Sequence, residues 1–195
     1  MNLPNTLSLI RVCLVPAFVA SLLFMRNISV WGFIVPAIIY IITGLTDMLD
    51  GKIARKYNLV TDFGKFIDPL ADKFMVIGSQ IAIMAYLFLI GESTDALIFM
   101  GLVLRILRRE LGVTSLRLVV AGKSGIVVAA SMLGKIKTVS QMVGTLVIIL
   151  EPLILPFSAE SHIVAYCFMA LMAFTTLFSG IDYLKAYLPH IDTNS

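Results

Sequence analysis

Residues 69–90 decide the fold class of the chain, and they read PLADKFMVIGSQIAIMAYLFLI. From Phe74 onward this stretch carries no charge, and its length suits a helix that crosses a bilayer, which needs about 20 apolar residues. Five other apolar runs flank it, at 8–25, 29–48, 95–118, 139–158 and 161–184. Strands of a membrane barrel would alternate in polarity over about ten residues, so these continuous runs indicate helices. We predict an all-α polytopic membrane protein, a bundle of six transmembrane helices with a short N-terminal interfacial segment at residues 2–6.

The composition of the whole chain agrees with this prediction. The 195 residues are 59% hydrophobic and 14% charged, whereas soluble proteins are roughly 45–50% apolar and about 25% charged. So little polar surface excludes an ordinary soluble domain, and the length predicts a single domain, residues 1–195. The net charge of +3 is too small to indicate a nucleic-acid partner.

The lysines and arginines predict the orientation of the helices. Three connections, at 26–28, 91–94 and 159–160, hold only Arg26 between them. The opposite connections and the regions near the chain ends hold Arg11, Lys52, Arg55, Lys56, Lys65, Lys123, Lys135, Lys137 and Lys185. Because cytoplasmic loops of membrane proteins carry an excess of Lys and Arg, we expect both termini and both basic loops on the cytoplasmic side of the cell membrane.

Four aspartates lie at the cytoplasmic ends of the second and third apolar runs. Asp47 and Asp50 end one run, and Asp68 and Asp72 open the next. At 100° per residue each pair falls on one helix face, within an arc of about 100°. The connection between the two helices is short, so the four carboxylates are expected to converge at the membrane edge.

Converging carboxylates repel one another unless cations neutralise them. Salt bridges to Arg55, Lys65 or Lys73 are one explanation. Divalent cations are the other, because Mg²⁺ takes carboxylate oxygens together with substrate phosphates. Two such ions could activate the attacking oxygen and stabilise the leaving oxygen of a phosphoryl transfer. Mn²⁺ could replace Mg²⁺ at an all-oxygen site.

These residues form a known signature. Asp47-x-x-Asp50-Gly51-x-x-Ala54-Arg55, eight residues, then Gly64-x-x-x-Asp68-x-x-x-Asp72 resembles that of the CDP-alcohol phosphotransferases without a departure. The resemblance implies a homodimeric helical membrane enzyme with a two-cation site. Such an enzyme transfers a substituted phosphoryl group from a CDP-linked lipid to an alcohol and releases CMP. It also implies that Asp72 accepts the proton of the attacking hydroxyl, and that Gly51, Ala54, Arg55 and Gly64 bind the CDP-lipid together with Asn5 and Thr6.

Other segments narrow the family to one branch. The opening Asn2–Arg11, the segment Asp68-Pro69-Leu70-Ala71-Asp72-Lys73 and the segment Gly134–Thr138 resemble bacterial phosphatidylglycerophosphate synthases. This resemblance implies CDP-diacylglycerol as donor and sn-glycerol 3-phosphate as acceptor. A sister enzyme that uses inositol phosphate, serine or phosphatidylglycerol would share the aspartates and differ only in the acceptor pocket.

The acceptor brings its own phosphate, which basic side chains should bind. The candidates are Arg109, Arg117, Lys135 and Lys137, since arginine offers phosphate two parallel hydrogen bonds and lysine a point charge. The same residues could instead set topology or contact anionic lipid headgroups.

Two non-enzymatic functions compete with this interpretation. A cation transporter or channel would also carry acids in membrane helices, and a lipid-binding module would also be apolar. Neither explains the fixed offsets of Gly51, Ala54, Arg55 and Gly64. Glu151, inside the fifth run, leaves three alternatives open: it faces the outer interface, pairs with another helix or lines a cavity.

Overall fold

The computed structural model describes residues 3–25, 29–57, 61–124, 131–154 and 162–187. Within these ranges the chain forms six α-helices and one short 3-10 helix, Val30–Phe33, and no strand. The helices are α1 Leu3–Met25, α2 Ile34–Lys56, α3 Asp62–Ile90, α4 Ser93–Ser124, α5 Met132–Ile154 and α6 Ile163–Tyr187. The predicted all-α bundle is confirmed. At its N-terminal end the chain is helical from Leu3, so Leu3–Thr6 form the first turn of α1.

Four helices have segments long and apolar enough to cross a membrane: Asn5–Phe24, Phe66–Ile90, Met132–Ile154 and Ile163–Tyr187. In α2 the apolar part is shorter, Trp31–Asp47, because the signature aspartates occupy its end. In α4 the sequence Arg105-Ile106-Leu107-Arg108-Arg109-Glu110 interrupts the apolar run. In α2 and α4, charged residues therefore shorten the apolar segment.

Helix ends follow from local chemistry. Thr61 precedes α3 in extended conformation, and its hydroxyl accepts the backbone N–H of Gly64 at 3.0 Å, as a helix N-cap does. Gly91 ends α3 with φ +91°, a left-handed conformation that glycine adopts without strain. The tight connection that follows starts α4 at Ser93, so α3 and α4 are neighbours.

Helix α1 packs against α2 and α3, α5 packs against α6, and α4 contacts both α3 and α6. The buried core combines large apolar side chains, among them Phe18, Leu22, Phe99 and Met172. Small residues allow close contact between helices: a Cβ added at Gly144 would lie 2.9 Å from the sulfur of Met172, as expected in membrane bundles. Large apolar side chains remain exposed on the outer faces, for example Phe24 and Leu118, where a bilayer would cover them.

Candidate active site

The ends of α2 and α3 meet α1 around one buried cation, Arg11. Its side chain is fully buried, and Nη1 donates to Oδ1 of Asp47 at 2.6 Å and also to Oδ1 of Asp72. Since both oxygens bond the same nitrogen, the two carboxylates lie within two hydrogen-bond lengths of each other. The side chains of Asp47 and Asp72 remain 36% and 50% exposed. Two of the four predicted carboxylates therefore lie together and stay accessible to a ligand.

On α3, Asp68 lies one turn before Asp72. A residue of α1 binds Asp68 as well. The hydroxyl of Ser8, itself fully buried, donates to Oδ1 of Asp68 at 2.5 Å. One turn earlier on α1, Asn5 donates to the hydroxyl of Thr61 at 2.9 Å, and Thr61 is placed to donate back to Oδ1 of Asn5 at 3.0 Å. The start of α3 is thus bonded to α1 at successive turns.

Gly64 stands where α1 and α3 approach most closely at this end of the bundle. A Cβ at this position would lie 2.8 Å from Oδ1 of Asn5 and 3.2 Å from Oγ1 of Thr61. Gly64 is also buried. The absence of a side chain at this signature position therefore has a steric reason: it leaves room for the Asn5–Thr61 pair.

Several predicted site residues can be placed only by their backbone. Asp50, Gly51, Ala54 and Arg55 lie on the last turns of α2, and their side chains lie outside the described residues. Thr6 is on α1 with an exposed side chain.

The donor chemistry at this end of the bundle suits a hard divalent cation, because the described ligand candidates are carboxylate oxygens. Within the described residues no group of three His, Cys, Asp or Glu side chains is arranged to hold a metal ion. The side chain of Asp50, the fourth aspartate of the signature, is not among them. The convergence of Asp47 and Asp72, together with their exposure, is the structural feature that fits the predicted ions.

A second polar cluster, centred on Glu110, lies between α4 and α5. The ammonium of Lys137, which is buried, contacts Oε1 of Glu110, and Nη1 of Arg109 lies 3.3 Å from the same oxygen. Of the two lysines predicted to bind the acceptor, Lys137 points into the bundle, whereas Lys135 is exposed.

Two tyrosines of α6 hold the arginines of this cluster. The guanidinium of Arg109 lies 5.1 Å from the ring centre of Tyr183, and that of Arg117 lies 5.9 Å from the same ring. Nε of Arg117 also donates to the hydroxyl of Tyr187 at 3.4 Å, and Nη2 of Arg109 donates to Ser179 at 2.5 Å. Cations over an aromatic face are attracted by the ring quadrupole. The ring of Tyr183 therefore contacts the guanidinium groups of both arginines.

The aspartates and the basic cluster are adjacent. Lys73 follows Asp72 in sequence, and its ammonium donates to the hydroxyl of Thr114 at 2.9 Å. Thr114 lies one turn beyond Glu110 on α4 and donates to the carbonyl of Glu110. Four cations, Lys73, Arg109, Arg117 and Lys137, therefore lie in this part of the bundle, and Glu110 is in contact with Arg109 and Lys137. This excess of positive charge suits a phosphate.

Sequence reasoning placed the aspartates and basic residues but missed their partners. Of the cations named in the salt-bridge explanation, Lys73 bonds Thr114, and the side chains of Arg55 and Lys65 lie outside the described residues. The described cation between Asp47 and Asp72 is Arg11. Its signal was visible, because an arginine inside an apolar run of a membrane protein is costly and usually functional. Ser8, Ser179 and Tyr183 gave no comparable signal, since serine and tyrosine are common in membrane helices.

Glu151 lies at the opposite end of the bundle and has a structural role. Its side chain is buried; Oε1 accepts the backbone N–H of Ala165 in the first turn of α6 at 2.9 Å, and Oε2 lies 3.2 Å from Nδ1 of His162. Of the three alternatives, pairing with another helix is confirmed. A cavity of about 40 Å³ beside it is lined mainly by apolar side chains, so Glu151 borders that cavity as well.

The chain is similar to known proteins over most of its length. A family model described as CDP-alcohol phosphatidyltransferase matches residues 1–178. The CDP-diacylglycerol–glycerol-3-phosphate 3-phosphatidyltransferase of Bacillus subtilis (strain 168) is 39% identical, over 94% of this chain and 94% of its own length. A probable phosphatidylglycerophosphate synthase of Mycobacterium tuberculosis is 36% identical over 97% of this chain and 83% of its own length. The Pseudomonas fluorescens protein with the same name as the Bacillus one is 30% identical over the whole chain and 94% of its own length.

Proposed function

The chain belongs to the CDP-alcohol phosphatidyltransferase family, and from this premise we propose that it transfers the phosphatidyl group of CDP-diacylglycerol to sn-glycerol 3-phosphate. The products are phosphatidylglycerophosphate and CMP, and the reaction serves the synthesis of anionic phospholipids such as phosphatidylglycerol and cardiolipin. The observation that carries the proposal is the juxtaposition of two clusters. Acids that converge on Arg11 suit the cations that would bind the reacting diphosphate, and a cluster with excess positive charge beside them suits an acceptor that is itself a phosphate.

In this proposal Asp47, Asp50, Asp68 and Asp72 hold two Mg²⁺ or Mn²⁺ ions. When bound, such ions supply charge stabilisation for the diphosphate and lower the proton affinity of the attacking hydroxyl. Asn5, Thr6, Gly51, Ala54, Arg55 and Gly64 contact the CDP-lipid. This assignment of the CDP-lipid contacts is supported by the position of Asn5 and Gly64, which lie against each other near Asp68.

Asp72 takes the proton of the primary hydroxyl of glycerol 3-phosphate. The hydroxyl oxygen forms a bond to the lipid-side phosphorus, and the bond from that phosphorus to the oxygen of CMP breaks. CMP leaves with the electron pair. The accessible side chain of Asp72 suits this role, and the side chain of Arg11 restricts its orientation.

Arg109, Arg117, Lys135 and Lys137 bind the phosphate of the acceptor. A dianion between the guanidinium groups would receive charge-assisted hydrogen bonds, which are about twice as strong as neutral ones. Lys137 is already desolvated against Glu110, so its contribution does not require a mobile side chain to be ordered from water. An acceptor without a phosphate, such as serine, would leave this charge without a partner.

The proposed function also implies a membrane location and an orientation for the chain. The apolar helices make the chain a multi-pass membrane protein, and we assign it to the cytoplasmic membrane with the active site and both termini on the cytoplasmic side. The bias of Lys and Arg toward one set of connections supports this orientation. A homodimer in contact with membrane lipids is also part of the proposal; the family resemblance supports it, as do the exposed apolar faces.

The direct test is CMP release by purified protein in detergent with CDP-diacylglycerol and Mg²⁺. Glycerol 3-phosphate is compared with inositol phosphate, serine and phosphatidylglycerol, and EDTA serves as the metal-free control. Release that requires both the metal and glycerol 3-phosphate is the expected result. Release with a different acceptor alone would retain the aspartate chemistry and overturn the acceptor assignment. A folded protein that releases no CMP with any acceptor would overturn the enzyme and point to transport or binding.

A further inference from the structure

Helix α1 carries a buried polar edge that the signature does not include. Asn5, Ser8 and Arg11 are spaced by three residues, so they lie along one side of the helix. Their exposed fractions are 6%, 0% and 0%. The rest of α1 is apolar enough to cross a membrane, and burying these three groups there is costly unless each one is bonded.

Their partners follow the order of the signature on α3. Asn5 bonds Thr61 beside Gly64, Ser8 bonds Asp68, and Arg11 bonds Asp72. Arg11 also reaches Asp47 on α2. Each of these bonds to an aspartate ends on its Oδ1. A carboxylate accepts through two oxygens, so a bond to Oδ1 restricts the rotation of the group and leaves the other oxygen available to a ligand.

We propose that Ser8 and Arg11 are positioning residues of the cation site, which orient Asp68, Asp47 and Asp72 toward the metals from the side of α1. The inference rests on the metal site of the proposed function and adds residues that contact neither the ions nor the substrates. Two physical effects support it. A buried guanidinium offsets the mutual repulsion of the aspartates before a metal binds, and hydrogen bonds behind the ligands restrict their rotamers, a constraint whose loss typically weakens metal binding about 10- to 100-fold.

Ser8→Ala tests the inference without removing a charge. Binding of Mn²⁺ to the purified protein in detergent is measured from the electron paramagnetic resonance signal of the free ion, with no substrate present. We expect the Mn²⁺ affinity to fall roughly 10-fold or more. Ser21→Ala is the matched control, because Ser21 is also a buried serine of α1 and its hydroxyl bonds only the backbone of its own helix, at Phe18. The control should bind Mn²⁺ as the unaltered protein does.

Arg11 is tested with a pair of variants. Arg11→Gln removes the common anchor of Asp47 and Asp72 and should weaken Mn²⁺ binding roughly 10- to 100-fold, whereas Arg11→Lys keeps the charge and should restore part of that loss. Thermal unfolding without metal is measured for each variant. Ser8→Ala keeps the test decisive if Arg11→Gln does not fold.

Each result has one meaning. Weaker binding by Ser8→Ala, with unchanged unfolding in the absence of metal, supports the inference. Equal Mn²⁺ affinity in Ser8→Ala and the unaltered protein overturns it while leaving the proposed function intact, and tighter binding by Arg11→Gln would show Arg11 to be a competitor of the metal rather than a support. If the unaltered protein binds no Mn²⁺, the metal site of the proposed function fails and the inference fails with it.

Discussion

Asp72 combines two demands at a single residue. Its carboxylate accepts a hydrogen bond from Arg11, which holds the start of α3 against α1, and its side chain is half exposed toward the region of the other aspartates. The same group is proposed to take a proton from the acceptor. A substitution that keeps the hydrogen bond and removes the basicity separates the two roles.

Asp72→Asn is that substitution. The amide oxygen can still accept from Arg11, so we expect the protein to fold and to bind CDP-diacylglycerol. The amide cannot take the proton, and kcat should fall roughly 10²- to 10⁴-fold, the usual contribution of a positioned base. Substrate binding by calorimetry and CMP release by the same preparation make the measurement. Asp182→Asn, a change of the same kind near the end of α6, serves as the control, and a kcat within a few-fold of the unaltered enzyme would remove Asp72 as base.

The aspartates could be predicted from the sequence, whereas the role of Arg11 could not. The aspartates and Gly64 could be predicted because their spacing along two helices is itself the signal. Arg11 is 36 residues from Asp47 and 61 from Asp72. Nothing in the spacing connects such distant residues, and only the packing of α1 between α2 and α3 brings them together.

At the scale of elements, the first turns of α5 are proposed to form part of the acceptor site. Lys137 lies one and a half turns into the helix and is buried against Glu110 of α4. Lys137→Ala should raise the KM for glycerol 3-phosphate roughly 10- to 100-fold, because a hydrogen bond to a charged group contributes about 1.5–3 kcal/mol. The KM for CDP-diacylglycerol should remain unchanged.

Steady-state kinetics with each substrate varied in turn provide the measurement. Lys185→Ala is the matched control, since Lys185 is a basic residue near the same end of the bundle with an exposed side chain. An unchanged acceptor KM in Lys137→Ala would assign this lysine to topology or to lipid headgroups, as the sequence alone allowed.

The opposite ends of α5 and α6 are joined by Glu151. Glu151→Ala leaves the N–H of Ala165 and the ring of His162 without their carboxylate, and losing the partner of a buried polar group costs about 1–3 kcal/mol. The Tm should therefore fall by several degrees, with the KM of the acceptor unaffected. Thermal unfolding in detergent measures this, against Glu92→Ala, an exposed carboxylate at the same end of the bundle. Equal Tm values for the two variants would contradict the structural role.

The positions of the helices were easier to predict from the sequence than the contacts of their charged side chains. Each apolar run corresponds to one helix, because an uninterrupted apolar segment in lipid must satisfy its own backbone. The boundaries are less predictable: α4 extends from Ser93 to Ser124, beyond the run at 95–118, because its C-terminal part packs against α6 through Arg117 and Tyr187. Such an extension depends on a neighbouring helix and not on local hydropathy.

At the scale of the whole molecule, the two described clusters of acidic and basic groups lie at opposite ends of an apolar bundle. The aspartates, Arg11 and the Glu110 cluster lie at one end. Asp95, Glu151 and His162 lie at the other, where Tyr166 donates to Asp95 at 2.5 Å. Exposed apolar side chains cover the faces between them. Of the two ends, the one with the aspartates holds the described basic cluster, and it is the end at which the proposed reaction would take place.

The orientation of the two ends can be measured with single cysteines. Cys13 and Cys167 are first replaced by alanine; then Thr94→Cys places a thiol at the end with Glu151, and Lys185→Cys places one at the end with the aspartates. Both positions are exposed, so each thiol should react with a maleimide that cannot cross membranes when it faces the reagent. We expect Thr94→Cys to be labelled in spheroplasts, and Lys185→Cys only in inside-out vesicles or after permeabilisation. The reason is that connections rich in Lys and Arg stay on the cytoplasmic side of the membrane. The reverse pattern would place the aspartates on the outer side, where CDP-diacylglycerol and glycerol 3-phosphate from the cytoplasm could not meet them, and would overturn the proposed orientation together with the route by which the substrates enter.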